Sequence, residues 1–102
     1  MSVADTILQQ LGGAMFQRMT GSHNFIGSTD GLSMKLTRNK SKANYLKITL
    51  LPSDTYRMVF ERVSLIQKTF TVKHVVKAQY DEVYFDQLQE LFTAATGLYT
   101  RL

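Results

Sequence analysis

The chain has 102 residues, two histidines, no cysteine and a formal net charge of +4. A length near 100 residues suits one domain with one core, so we predict a single domain over residues 1–102. Without cysteine, disulfides, iron–sulfur clusters, zinc fingers and thiol catalysis are excluded. No apolar run approaches the roughly 20 residues that cross a bilayer, and the first residues lack the features of a signal peptide. We therefore expect a cytoplasmic protein without a membrane partner.

Charge is distributed unevenly along the chain. Residues 14–80 hold eleven of the twelve lysines and arginines but only three carboxylates, whereas residues 81–97 hold four carboxylates and no basic residue. A basic surface attracts phosphate backbones. The basic body is therefore a candidate surface for nucleic acid, and the alternative is that the charge serves solubility alone.

The chain opens with a pattern typical of a short helix over residues 3–11. Ser2 stands at the N-cap with Asp5 three positions later, and Gly12 follows the last apolar residue, as at many helix ends. Residues 14–20 then predict a first strand, and residues 21–31, with three glycines, predict a long loop.

The alternation of apolar and polar residues through the middle of the chain predicts antiparallel strands joined by hairpins. Basic residues fill the turn at 38–43, and two further turns are expected near 51–55 and 66–69. The predicted strands after the loop are residues 32–37, 45–50, 56–61 and 70–77.

The end of the chain predicts a helix over residues 81–97, with Asp81 at its N-cap and Gly97 at its end. Carboxylates recur every four residues on one face of this helix, at Glu82, Asp86 and Glu90. This acidic stripe is either a solvated helix face or a surface for a basic partner. It is the alternative, partner-binding site.

These elements predict a two-layer α+β domain. Short connections favour a four- or five-stranded antiparallel meander, with the N- and C-terminal helices packed on its one apolar face. The other face of the sheet is then open to water or to a partner.

The open face is the predicted nucleic-acid site. Lysine and arginine contact phosphates, and an exposed tyrosine can stack on a base. The alternative is a charged face that prevents aggregation. The predicted binding residues, including three from the turn at 38–43, are Lys35, Arg38, Lys40, Lys42, Tyr45, Lys47, Arg57 and Lys73.

The polar loop over residues 21–31 is the one segment whose composition suggests chemistry. His23 and Asp30 could act as a base and its orienting group, but no nucleophile is placed beside them. His74 falls among the core-facing residues of its strand, and the two histidines have no metal-ligand spacing. We therefore predict no catalytic residues, no metal and no cofactor.

Four segments resemble short, uncharacterised phage and prophage proteins that are usually labelled hypothetical. They are residues 2–13 (SVADTILQQLGG), 19–28 (MTGSHNFIGS), 44–56 (NYLKITLLPSDTY) and 88–102 (LQELFTAATGLYTRL). The resemblance carries over no site residue. It implies the genomic context of a phage or mobile element, whose small accessory proteins bind nucleic acid or block a host defence protein.

The function predicted from the sequence is that of a small non-enzymatic phage or mobile-element accessory protein that binds nucleic acid, including DNA, through a basic sheet face. Two alternatives remain open at this point. One is an inhibitor that binds a host defence protein, as anti-CRISPR proteins do, or another host protein. The other is a structural phage protein that assembles as a homodimer.

Overall fold

The computed structural model describes residues 2–100 and contains a five-stranded antiparallel sheet flanked by helices at both ends of the chain. The strands follow one another in the order β1-β2-β3-β4-β5, which is a meander. The two-layer α+β prediction is confirmed. The elements are α1 (Val3–Leu11), α2 (Gly13–Thr20), β1 (His23–Gly27), β2 (Gly31–Lys35), β3 (Tyr45–Leu50), β4 (Tyr56–Ile66), β5 (Thr71–Val83), a 3-10 turn (Phe85–Gln87) and α3 (Leu88–Thr96).

Helix α1 has the predicted bounds and the predicted caps. The Asp5 amide donates to Ser2 Oγ at 3.1 Å, which satisfies one of the free amides of the first turn. Gly12 ends the helix with φ at 123°. Ile7 and Leu11 are fully buried, so α1 is held mainly by the apolar face that it places on the sheet.

The predicted strand over residues 14–20 is wrong, because these residues form helix α2. Gly12 and Gly13 both take positive φ, and this lets the chain turn directly from one helix into the next. The segment is rich in good helix formers. Phe16 is fully buried, with its ring centroid 5.0 Å from that of Phe92.

The predicted loop over residues 21–31 contains an edge strand, β1. It pairs antiparallel with β2, with Ile26 opposite Ser33. Only Phe25 of this strand is even half-buried. The alternation of apolar and polar residues that marks a half-buried strand is therefore nearly absent from its sequence. The glycines on either side of it also favour the interpretation as a loop.

One face of the sheet and the helices enclose the core. Leu46, Ile48, Met58 and Phe60 are fully buried on this face, and the ring of Phe92 in α3 lies 6.1 Å from that of Phe60. No helix of the described part of the chain lies over the opposite face, so we call it the uncovered face. None of the helices within residues 2–100 is long and apolar enough to cross a membrane.

Strand β5 is longer than predicted and is interrupted by two register shifts. Phe60 pairs with Ala78 but Glu61 pairs with Val76, so Lys77 is an extra residue in β5, and a second shift lies near residues 81–82. Each extra residue reverses the alternation between faces. Toward the hairpin turn, residues 71–76 of β5 also extend past the helices, so no core exists there. Residues that the sequence assigned to the core are therefore exposed: Phe70, Val72, His74 and Val76.

The C-terminal helix begins later than predicted. Asp81 and Glu82 belong to β5, Asp86 lies in the 3-10 turn, and only Glu90 is in α3. The three carboxylates of the predicted stripe therefore do not share one helix face. The Tyr84 amide donates to Gln87 Oε1 at 3.0 Å where the helical segment begins, and Gly97 ends α3 as expected.

Candidate nucleic-acid interface

Four of the predicted binding residues lie on the uncovered face, as expected. Lys35 of β2 stands directly opposite Tyr45 of β3, and Lys47 pairs with Val59 of β4. Directly opposite residues of neighbouring strands point to the same face. The uncovered face thus presents Lys35, Tyr45 and Lys47 together, with Arg57 further along β4.

The uncovered face carries carboxylates as well as cations. Arg57 Nε donates to Asp81 Oδ1 at 2.7 Å, and His74 Nδ1 lies 2.9 Å from Glu61 Oε2. The hydrogen bond from Arg57 holds the pKa of Asp81 below its usual value. The charge of the uncovered face is therefore close to balance, which weakens its attraction for phosphate.

The densest positive charge lies in a different place, between the β2–β3 loop and the start of the β4–β5 hairpin. A cleft of about 800 Å³ opens there, which we call the basic cleft. No carboxylate lines it, and none of its cations forms an ion pair within residues 2–100. The basic residues that line it are Arg38, Lys40, Lys42, Arg62 and Lys77.

Hydrogen bonds of Asn39 fix the shape of the loop that bears three of these cations. Its Nδ2 donates to the carbonyl oxygens of Thr37 and Ala43 at 2.7 and 2.8 Å, and its Oδ1 accepts from both the amide and the hydroxyl of Ser41. The Lys40 amide also donates to the Thr96 carbonyl at the end of α3, at 2.9 Å. The lysine and arginine side chains of the loop therefore project from an ordered backbone.

Asn44 joins this loop to β4. Its Nδ2 donates to the Val63 carbonyl at 2.9 Å and its Oδ1 accepts from the Val63 amide at 2.7 Å, so the side chain extends the β3–β4 ladder by one step. Next to it, Arg62 Nη1 donates to the Lys42 carbonyl at 3.5 Å. These contacts bring two walls of the cleft together, one from the loop and one from the hairpin.

The structure divides the predicted site into two groups. Arg38, Lys40 and Lys42 line the basic cleft, whereas the strand residues Lys35, Tyr45, Lys47 and Arg57 occupy the uncovered face. Lys73, expected on the uncovered face, stands opposite Ser64, on the same side of the sheet as Phe60 and Arg62. The cause is the register shift at Lys77, which reverses the alternation of β5.

Sequence reasoning missed Arg62 and Lys77. Arg62 follows Phe60 by two positions and thus falls on the core-facing side of β4. A cation at a core position signals that the core ends there, and this was the available clue. The position of Lys77 beside the cleft depends on the register shift in β5, which no local sequence pattern predicts.

A second cleft, of about 590 Å³, lies at the acidic end of the molecule, and we call it the acidic cleft. Asp86 and Glu90, two of the three residues of the predicted partner site, line it together with the largely exposed rings of Phe85 and Tyr99. Glu82 does not line it. This cleft and the basic cleft share no residue.

The polar loop does not bring its histidine and aspartate together. His23 Nδ1 lies 3.1 Å from the Gly21 carbonyl oxygen, and Asp30 Oδ1 accepts from Ser28 Oγ at 3.4 Å. The base and orienter pairing suggested by the sequence is therefore not formed.

Comparison with known proteins gives no family assignment. No family model, no curated protein and no solved structure matches this chain. The resemblance to phage-type proteins stays a prediction, and the proposals below rest on the geometry of the clefts and the hairpin alone.

Proposed function

We propose that this protein binds nucleic acid through the sugar–phosphate backbone, and that the basic cleft is the binding surface. The observation that carries the proposal is the convergence of five cations around one cleft that no carboxylate of residues 2–100 lines. Cations grouped in this way bind a polyanion by releasing its condensed counterions.

The cleft favours backbone contact over base reading. Two of its five cations are arginines, which can bind phosphate with two parallel hydrogen bonds, and three are lysines, which act as point charges. Its other lining residues are Leu36, Thr37, Asn39, Ala43 and Asn44, with no aromatic ring among them. Affinity that depends weakly on base sequence follows from such a surface.

Salt dependence of binding to a duplex oligonucleotide tests the proposal. Three to five phosphate contacts predict an affinity loss of roughly 40- to 500-fold between 50 and 200 mM salt. Arg62→Gln with Lys77→Gln should reduce the slope of log affinity against log salt by about 1.8. Arg18→Gln is the control for the removal of one charge outside the cleft, because Arg18 is an exposed cation on α2, and it should leave the slope unchanged. No binding at 50 mM salt would overturn the proposal.

A second candidate function is supported by the acidic cleft. Asp86 and Glu90 lie beside two exposed aromatic rings there, and a lysine or arginine side chain of a partner protein is attracted by both kinds of group. Pull-down from a cell lysate with wild type and Asp86→Asn/Glu90→Gln tests it. A partner retained equally by both proteins would contradict this candidate.

A further inference from the structure

The β4–β5 hairpin extends beyond the rest of the sheet as a two-stranded arm. Strand β3 begins at Tyr45, opposite Glu61 of β4. Past this point β4 pairs only with β5, in five further residue pairs from Arg62–Val75 to Ile66–Thr71. At 3.3–3.4 Å per residue this adds roughly 17 Å. Every residue from 64 to 74 is exposed, so beyond its base the arm, residues 62–75, packs on nothing within residues 2–100.

The arm continues the charge of the basic cleft. It carries Arg62, Lys68 and Lys73 and no carboxylate. Arg62 lines the cleft, and Lys73 lies further out on the same side of the hairpin, opposite Ser64. A polyanion lying in the cleft would therefore meet further cations along the arm.

Phe70 stands at the tip of the arm and is the most exposed of the large apolar residues described, at 82%. It closes the turn over residues 67–70 with φ at 52°, in the left-handed region where glycine or asparagine is the low-energy choice. A bulky aromatic residue in that conformation, with no packing partner, points to a functional role.

We propose that the arm lies against double-stranded DNA and that Phe70 acts as a wedge, its ring entering between two adjacent base pairs through the minor groove. This inference rests on the proposed function. Apolar side chains that enter a base step in this way unstack it and bend the duplex. Lys68 and Lys73 contact the phosphates on either side of the opened step.

Duplex DNA fits the arm better than other occupants do. A single strand is bound by stacking successive bases on several rings. The cleft and the arm together carry two rings, those of Phe70 and His74, and the His74 ring is held 2.9 Å from the Glu61 carboxylate on the uncovered face. A flat membrane could reach the tip of the arm but not the floor of a concave cleft. A second copy would bring its own cations against these, and like charges oppose that contact.

Fluorescence of 2-aminopurine, which rises when the base unstacks, tests the wedge. We would use short duplexes that each carry one 2-aminopurine at a pyrimidine–purine step, where unstacking costs least. Wild type should raise the fluorescence of at least one duplex. Phe70→Ala should abolish that rise and weaken binding roughly tenfold, as expected for the loss of one stacked ring. Phe85→Ala is the matched control, since that ring is also exposed but lies beside the acidic cleft.

The outcomes separate this inference from the proposed function. If wild type binds the duplex with steep salt dependence but no probe responds, the wedge is wrong and the proposed function stands. If wild type binds no duplex, both fail. An equal response from duplex RNA overturns the choice of DNA. Binding to vesicles with anionic headgroups, or dimerisation in sedimentation, that is lost in Phe70→Ala while duplex binding is unchanged, assigns the arm to another occupant.

Discussion

Arg57 Nε donates a hydrogen bond to Asp81 Oδ1 at 2.7 Å, linking β4 to β5 across the uncovered face of the sheet. Both side chains are about half exposed, so the pair adds little to stability. Its consequence is electrostatic, because it neutralises one of the cations from which a nucleic-acid site on this face was predicted. The positive charge without such partners lies in the basic cleft instead.

Substitution of Arg57 should change the acid titration of Asp81. The hydrogen bond from Arg57 lowers the pKa of Asp81 in the folded protein, so the contact favours folding above the ordinary carboxyl pKa. This contribution is lost as the pH falls through the lowered value. Arg57→Gln should raise the pKa of Asp81 toward its ordinary value, as measured by NMR titration of the carboxyl carbon. An unchanged pKa would assign the shift to Gln79, whose Nε2 also donates to Asp81.

Phe92 should be among the most sensitive core positions. It is fully buried, and its ring lies 5.0 Å from that of Phe16 and 6.1 Å from that of Phe60, so it joins α3 to both α2 and the sheet. Phe92→Ala should lower the free energy of unfolding by about 3–5 kcal/mol, as measured by urea denaturation. A loss below about 1 kcal/mol would contradict the helix packing described here.

Gly31 should not tolerate a side chain. A Cβ built on it overlaps the Ile48 carbonyl oxygen on the neighbouring strand, so Gly31→Ala must push β2 away from β3. We expect a loss of about 3 kcal/mol, at the upper end for overpacking. Gly13→Ala is the control. A Cβ there meets nothing within 4 Å and suffers only from its positive φ, for a cost of about 1–2 kcal/mol. The reverse order of stability would contradict the β2–β3 register.

The apolar residues of the arm should contribute little to folding. Leu65 and Val72 stand opposite each other and are 58% and 53% exposed. Leu65→Ser with Val72→Thr should therefore change the free energy of unfolding by less than about 0.5 kcal/mol. If the double variant loses more than about 1 kcal/mol at high protein concentration and less on dilution, the arm packs on a second copy of the chain.

The sequence predicts elements well where one local signal governs them. Ser2 and Gly12 mark both ends of α1, and the alternation along β3 and the first half of β4 follows directly from a sheet with one buried face. The sequence predicts elements poorly where contacts between distant residues decide the structure. Residues 13–20 include good helix formers, but the contact that holds their helix on the core joins Phe16 to Phe92, a residue 76 positions later along the chain.

The candidate site was predictable where a local run of residues forms it. The basic turn was visible as a run of cations, and Arg38, Lys40 and Lys42 do line the cleft. Arg62 follows from the ordinary alternation of β4, whereas the position of Lys77 depends on the register shift, which reverses the alternation of β5. Alternation alone cannot reveal an inserted residue, so Lys73 was assigned to the wrong face.

The most direct test of whether the basic cleft binds nucleic acid compares the duplex affinities of two matched charge reversals at low salt. Arg38→Glu/Lys40→Glu alters the basic cleft, and Lys35→Glu/Lys47→Glu alters the uncovered face. All four side chains are exposed, so both variants should fold. If the basic cleft binds the duplex, the cleft variant loses at least about tenfold more affinity than the other. Equal losses, or a greater loss on the uncovered face, would contradict it.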